Sequence, residues 1–153
     1  MKTLKIAATA VLLLITLSLS TATITHAGIQ PLKKSELECL ARNIYHEARG
    51  EPLEGQIAVA QVTLNRVRSP QFDNSVCAVV YAPSQFSWTL DKTKRVRDSV
   101  AWQRSLAVAQ AVLSNSIKLP HFSALYFHTP QVNPRWSRGK RIVARIGNHI
   151  FYS

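Results

Sequence analysis

The chain has 153 residues, 19 of them lysine or arginine against 8 aspartates and glutamates, for a formal net charge of +11, and 46% of it is apolar. That length is about one domain's worth of chain, and the basic excess favours anionic partners such as nucleic acid, lipid headgroups or an acidic cell-wall polymer. The two cysteines, Cys39 and Cys77, lack the C-x-x-C spacing of a zinc module.

Lys2 and Lys5 open the chain, residues 6–19 are uncharged and mostly apolar, and Thr25-His26-Ala27 offers a small-residue cleavage site before Gly28. This order predicts a secretory signal peptide over residues 1–27. An uncleaved membrane anchor is the alternative, but the apolar run falls short of the roughly 20 residues a spanning helix needs. No later stretch is apolar enough to span. Residues 28–153 then form one domain with 17 basic and 8 acidic side chains, a balance of +9. A secreted or periplasmic monomer is expected, and export makes nucleic acid an unlikely partner. In an oxidising compartment an even cysteine pair tends to close, which predicts a Cys39–Cys77 disulfide, with two separate buried thiols as the alternative.

Ser35-x-x-Glu38 reads as a capping box opening an amphipathic helix whose apolar positions are Leu37, Leu40, Ala41, Ile44 and Ala48; Gly50 and Pro52 end it near Arg49. A second helix is predicted from Pro52 or Leu53 to Val67, stopped by Ser69-Pro70. Its apolar residues go almost all the way round, as in a central buried helix. A short apolar segment at 76–81 and a loop at 82–91 follow. The next helix is predicted over 98–115, capped by Asp98, with Trp102, Leu106, Ala109 and Leu113 at helical spacing. Beyond Pro120 come a short aromatic run at 124–128, alternating residues at 141–145 and a Gly147-Asn148 turn, which together predict a small C-terminal β-hairpin. The fold class is α+β, mainly helical, in a single domain.

On a helical wheel Glu47 falls about 20° from Leu40 and about 60° from Ile44, at the border of the buried stripe. It also lies in the last turn, where the helix dipole disfavours negative charge. Burial and the dipole both raise its pKa, as a general acid requires. Spacing alone leaves open that Glu47 is a helix-end residue paired with an arginine.

The blocks "ARNIYHEARGEPLEGQIAVAQVTLNRV", "VCAVVYAPSQFSW" and "RIGNHIFY", in that order, resemble the catalytic domain of the SleB/CwlJ-type cell wall hydrolases, the spore-cortex-lytic family, across most of residues 37–152. The resemblance implies a lysozyme-like, lytic-transglycosylase-like fold. It implies peptidoglycan glycan strands as partner, cleavage of the glycan, no cofactor, and Glu47 as catalytic residue. Gln85, Phe86, Ser87 and Trp88 match the family's Q-F-S-W block. Aromatic faces suit pyranose surfaces, and amide and hydroxyl groups suit sugar substituents, so these four are expected to bind substrate. Phe86 and Trp88 remain open as core anchors. His128 is expected in the same cleft, near the C-terminal strands where the family also places histidines.

Glu51 is the rival carboxylate, with an exposed role beside an arginine as its default. Glu51, Glu54, Asp73 and Asp91 are the available second carboxylates, and none is marked out by pattern. That scarcity favours a one-carboxylate transglycosylase over a hydrolase with two. His46, His121, His128 and His149 raise a zinc-dependent amidase as an alternative, although no close ligand pair occurs. His46 is expected on the solvent side and His149 partly buried. Trp136, with Arg135, Arg138, Lys140 and Arg141, is a basic aromatic patch that suits either a solvated loop or a contact with an anionic wall. A non-catalytic wall-binding module is the third reading.

Overall fold

The computed structural model describes residues 34–91 and 93–153; the expected signal segment lies outside them. Four α-helices, α1 (Lys34–Ala48), α2 (Leu53–Arg68), α3 (Val76–Tyr81) and α4 (Ser99–Leu113), precede three short strands, β1 (Tyr126–His128), β2 (Ile142–Ile146) and β3 (His149–Tyr152). No helix among the described residues is long and apolar enough to cross a membrane.

α2 stands between two apolar clusters, which is why its sequence is apolar on nearly every face. Ile57, Ala60 and Leu64 meet Leu40, Ala41 and Ile44 of α1, Val76 and Val80 of α3, and Val108, Ala109 and Val112 of α4. Ala58, Val59 and Val62 meet Phe122, Ala124 and Phe151 on the sheet side. Polar groups inside are paired only in part: Asn43 Nδ2 donates to Thr63 Oγ1 at 2.9 Å while Asn43 Oδ1 and Gln56 Oε1 are buried without a partner, and Asn65 Nδ2 donates to the carbonyls of Phe122 and Ala124, both at 3.0 Å. The latter bonds tie the irregular segment before β1 to α2.

The helix bounds follow the sequence signals closely, with two local departures. The helix opens earlier than the cap reading places it: α1 begins at Lys34, and the Glu38 carboxylate pairs with Arg42 at 2.9 Å, one turn on. In α4 the Asp98 side chain caps as expected by accepting from Ala101 N at 2.9 Å, but the fully buried stripe is Ser105, Val108, Ala109 and Val112. Trp102, Leu106 and Leu113 flank it, half-buried. Asn115 (φ 57°) ends that helix in the left-handed region, with Ser116 N donating to Ala111 O.

The predicted hairpin is β2–β3, closed by Gly147-Asn148, but the sheet has a third strand. β1 pairs antiparallel with β3 (Phe127 opposite Phe151), giving the order β1-β3-β2, and β2 carries an irregularity between Ile142 and Ala144. Gly147 (φ 55°) sits against the Glu51 carboxylate, where a Cβ would collide. Cys39 and Cys77 are disulfide-bonded, with Cα atoms 5.2 Å apart, joining α1 to α3.

Candidate active site

The last turn of α1 brings three consecutive side chains to one place, each with a different task. Tyr45 is buried, and its hydroxyl accepts from the backbone N–H groups of Arg97 and Asp98, both at 3.1 Å, holding the segment before α4 against α1. His46 is half-buried and stacks on Trp88, ring centroids 4.4 Å apart and 21° from parallel. This corrects its expected place on the solvent side. Burial first, then the charges of Arg49, Arg42 and Lys94, push its pKa down, so it is neutral at pH 7.

Glu47 is half-buried, and burial raises its pKa above the usual 4.5. Two smaller influences oppose that rise: the indole N–H of Trp88 and the charge of Arg66. Neither is a closed contact. Trp88 Nε1 is buried without a hydrogen bond of full geometry, and the one ion pair within 4 Å among the described residues is Arg42–Glu38. Glu47 is thus not locked to an arginine.

Arg66 is the cation nearest that carboxylate in effect. It rises from α2, is buried, donates from Nε to Leu125 O at 2.7 Å, and lies over the rings of Phe72 and Phe86 at 5.2 and 5.5 Å. Burial lowers its pKa to about 10, and Tyr126 and Glu47 work against that fall, so it stays charged at neutral pH.

Glu47 lines two adjoining hollows, and a third adjoins the smaller of them. A small one of about 190 Å³ is lined by Glu47, Arg66, Gln85, Phe86, Ser87 and Phe127. It shares Glu47 and Ser87 with a larger cationic compartment of about 650 Å³, where Arg49, Lys94, Arg95 and Arg97 line the wall. On its other side it shares Arg66, Gln85 and Phe127 with an aromatic compartment of about 700 Å³ that includes Tyr126, His128 and Trp136. Among the described residues, Glu47 is the single carboxylate lining any of the three.

The Q-F-S-W block alternates. Gln85 and Ser87 are exposed on the groove, whereas Phe86 and Trp88 are buried in the helical core and contribute only residual surface. Gln85 Oε1 accepts from Arg66 Nη1 at 3.4 Å. His128 lines the aromatic compartment, but both ring nitrogens are engaged, Nδ1 with Thr129 O at 2.9 Å and Nε2 with the Tyr152 hydroxyl at 2.8 Å. His149 is buried, and burial lowers its pKa against the opposing charge of Glu51. The histidines do not converge: among the described residues no three His, Cys, Asp or Glu side chains gather as a metal site would need.

Glu51 is not an arginine's partner. Its carboxylate accepts from Asn148 N at 2.8 Å and Asn148 Nδ2 at 3.2 Å, fastening the β2–β3 turn to the start of α2. Glu54 and Asp73 are exposed, and Asp91 accepts from Thr93 N and Oγ1 at 2.9 and 2.6 Å. Sequence reasoning missed Tyr45, Arg66 and Tyr126 altogether. An arginine inside an otherwise apolar helix was the available signal for Arg66. Trp136 packs against Tyr126, His128 and Tyr152, each ring pair 5.6 Å apart, and is 42% exposed, leaving ring surface for a ligand.

Residues 50–152 match the cell wall hydrolase family, a match that begins three residues after Glu47. A spore cortex-lytic enzyme of Bacillus subtilis (strain 168) is 37% identical over 120 residues, covering 76% of this chain and 37% of the relative. Another, from Oceanobacillus iheyensis, is 33% identical over 80% of this chain and 43% of its own length. The chain therefore spans less than half of these relatives. Two solved structures are similar. One is the catalytic domain of the Bacillus cereus SleB protein, with TM-score 0.63 and 32% identity, covering 79% of this chain and 91% of that one. The second is the catalytic domain of the germination-specific lytic transglycosylase SleB from Bacillus anthracis, with TM-score 0.66 and 31% identity, covering 81% and 98%.

Proposed function

This chain belongs to the cell wall hydrolase family, and from that premise we propose that it is an exported lytic transglycosylase of peptidoglycan, acting without a cofactor on the β-1,4 bond between N-acetylmuramic acid and N-acetylglucosamine. The observation that carries this reading is Glu47: a carboxyl of raised pKa shared by two adjoining hollows, and the one carboxylate among the described residues lining them or the aromatic compartment beside them.

Protonated Glu47 donates its proton to the glycosidic oxygen as the bond to muramic C1 breaks and C1 takes oxocarbenium character. The sugar leaves with a free 4-hydroxyl. The ionised Glu47, favoured at this moment by the Trp88 N–H and the Arg66 charge, takes the proton of the muramic 6-hydroxyl. O6 then bonds to C1, closing a 1,6-anhydro ring and restoring the acid. One carboxylate suffices and no water is consumed. A two-carboxylate hydrolase would place a second acid across the bond, yet Glu51 is committed to the Asn148 turn and Asp91 to Thr93. Gln85 and Ser87 offer polar groups to the sugar beside Glu47, and Tyr126 and Trp136 offer ring faces further along. Residues 1–27 serve export, and the folded chain acts as a monomer.

Mass spectrometry of digested sacculi tests the reading. Anhydro-muropeptides are expected; reducing ends would make the enzyme a hydrolase, freed stem peptides an amidase, and unchanged strands a binding module. Glu47→Gln keeps the shape and removes the proton, so the turnover rate should fall about 10²- to 10⁴-fold with folding intact.

A further inference from the structure

Two features of the cationic compartment have no part in bond cleavage. Its lining carries Arg49, Lys94, Arg95 and Arg97, all exposed, with Glu47 as its one acid among the described residues. None of these four cations makes an ion pair within 4 Å among the described residues. The acids beside it are occupied elsewhere: Asp91 accepts from Thr93, and Asp98 caps α4.

Part of this wall is also held in place. Tyr45 Oη fixes the backbone at Arg97 and Asp98, and Arg49 lies over the Tyr45 ring at 5.0 Å while donating from Nη1 to Tyr45 O at 3.2 Å. Gathering like charges without counter-charges is unfavourable, and an anionic ligand relieves that repulsion. The aromatic compartment differs in kind. Its Lys140 lies over the Tyr126 ring with Nζ 3.8 Å from the centroid, and its walls are ring faces suited to uncharged sugars.

We infer that the compartment formed by Arg49, Lys94, Arg95 and Arg97 is a subsite for the carboxylates pendant on the muramic units of the glycan strand. The groove then reads charge in the compartment that Glu47 lines and sugar faces in the aromatic one beyond the small hollow. This rests on the glycan-strand reading of the same groove. It goes further by naming the chemical group that one arm selects.

The test uses Glu47→Gln protein, so that no strand is consumed, and three soluble strands. One bears stem peptides. A second has been stripped by an amidase, keeping the lactyl carboxylate. In the third, stripped strands have had that carboxylate capped as the neutral ethanolamide. Both carboxylate-bearing strands should bind about tenfold more tightly than the capped one in low salt, as two or three exposed ion pairs would give. The tighter of the two identifies which carboxylate is read. The advantage should collapse near 1 M salt, where the screening length is about 3 Å.

Adding Arg95→Gln and Arg97→Gln should abolish most of the difference while leaving affinity for the capped strand unchanged. Equal binding of capped and charged strands, or an advantage that survives the two substitutions, would overturn the inference. Turnover of the peptide-bearing strand by the unsubstituted chain is scored separately, so failure of the cleavage chemistry shows there and not in the binding ratios.

Discussion

Glu47 is held between opposing influences that differ in timing. Burial favours the neutral acid, which the proposed reaction needs before bond cleavage, while the Trp88 N–H and Arg66 favour the carboxylate, which it needs afterwards. The sign of the pH dependence follows. The proposed reaction requires the protonated form, so the rate should fall as pH rises through the Glu47 pKa, and burial displaces that fall above the usual glutamate range. Trp88→Phe removes the N–H and leaves burial in force. The alkaline limb of kcat/KM should therefore move to higher pH, with a loss at the optimum of less than about tenfold, well short of the Glu47→Gln loss. A pH–rate profile of both proteins checks this; an unmoved limb would remove Trp88 from the proton's environment. The half-buried place of Glu47 was legible because it depends on one helix's period, whereas a catalytic role for it was implied only by the family resemblance. Tyr45 and Arg66 were not, since their partners, Arg97, Asp98 and Leu125, lie 52, 53 and 59 residues away.

At the scale of elements, α2 and the hairpin turn were legible because apolar periodicity and Gly-Asn chemistry are local. β1 was not recognised as a strand because three residues carry too little alternation, and its pairing with β3 is decided by Phe127 meeting Phe151 over α2. Glu51 shows what the elements demand of a carboxylate that sequence proximity made a catalytic rival. Its two hydrogen bonds to Asn148 join the start of α2 to the β2–β3 turn. Glu51→Ala should cost about 1 to 3 kcal/mol of stability, as loss of hydrogen bonds to a charged, partly exposed acceptor does. Activity per folded molecule should change little. Thermal melts paired with turnover at a temperature where both proteins are folded separate the two effects, and a loss of turnover without a loss of stability would return Glu51 to the chemistry.

Across the whole molecule, the groove is made where the helical body meets the residues around the sheet, so its geometry depends on how firmly the parts are fastened. α1 supplies Glu47, and α3 leads into the segment carrying Gln85 and Ser87. The Cys39–Cys77 bridge joins those two helices directly. Its sequence separation of 38 residues closes a loop whose removal from the unfolded ensemble is worth about 3 to 4 kcal/mol on the chain-entropy account. For a domain of this size that corresponds to a fall in melting temperature of about 10 °C on reduction. A bridge that acts only through stability leaves the reaction itself alone. Reduced protein assayed well below its melting temperature should therefore yield the same products as oxidised protein, at a rate within about a factor of three. Were reduction to abolish turnover in a chain still folded by circular dichroism, the bridge would have to be holding the 82–91 segment in register with Glu47. The Cys39→Ser/Cys77→Ser protein should then show the same loss without any reductant present.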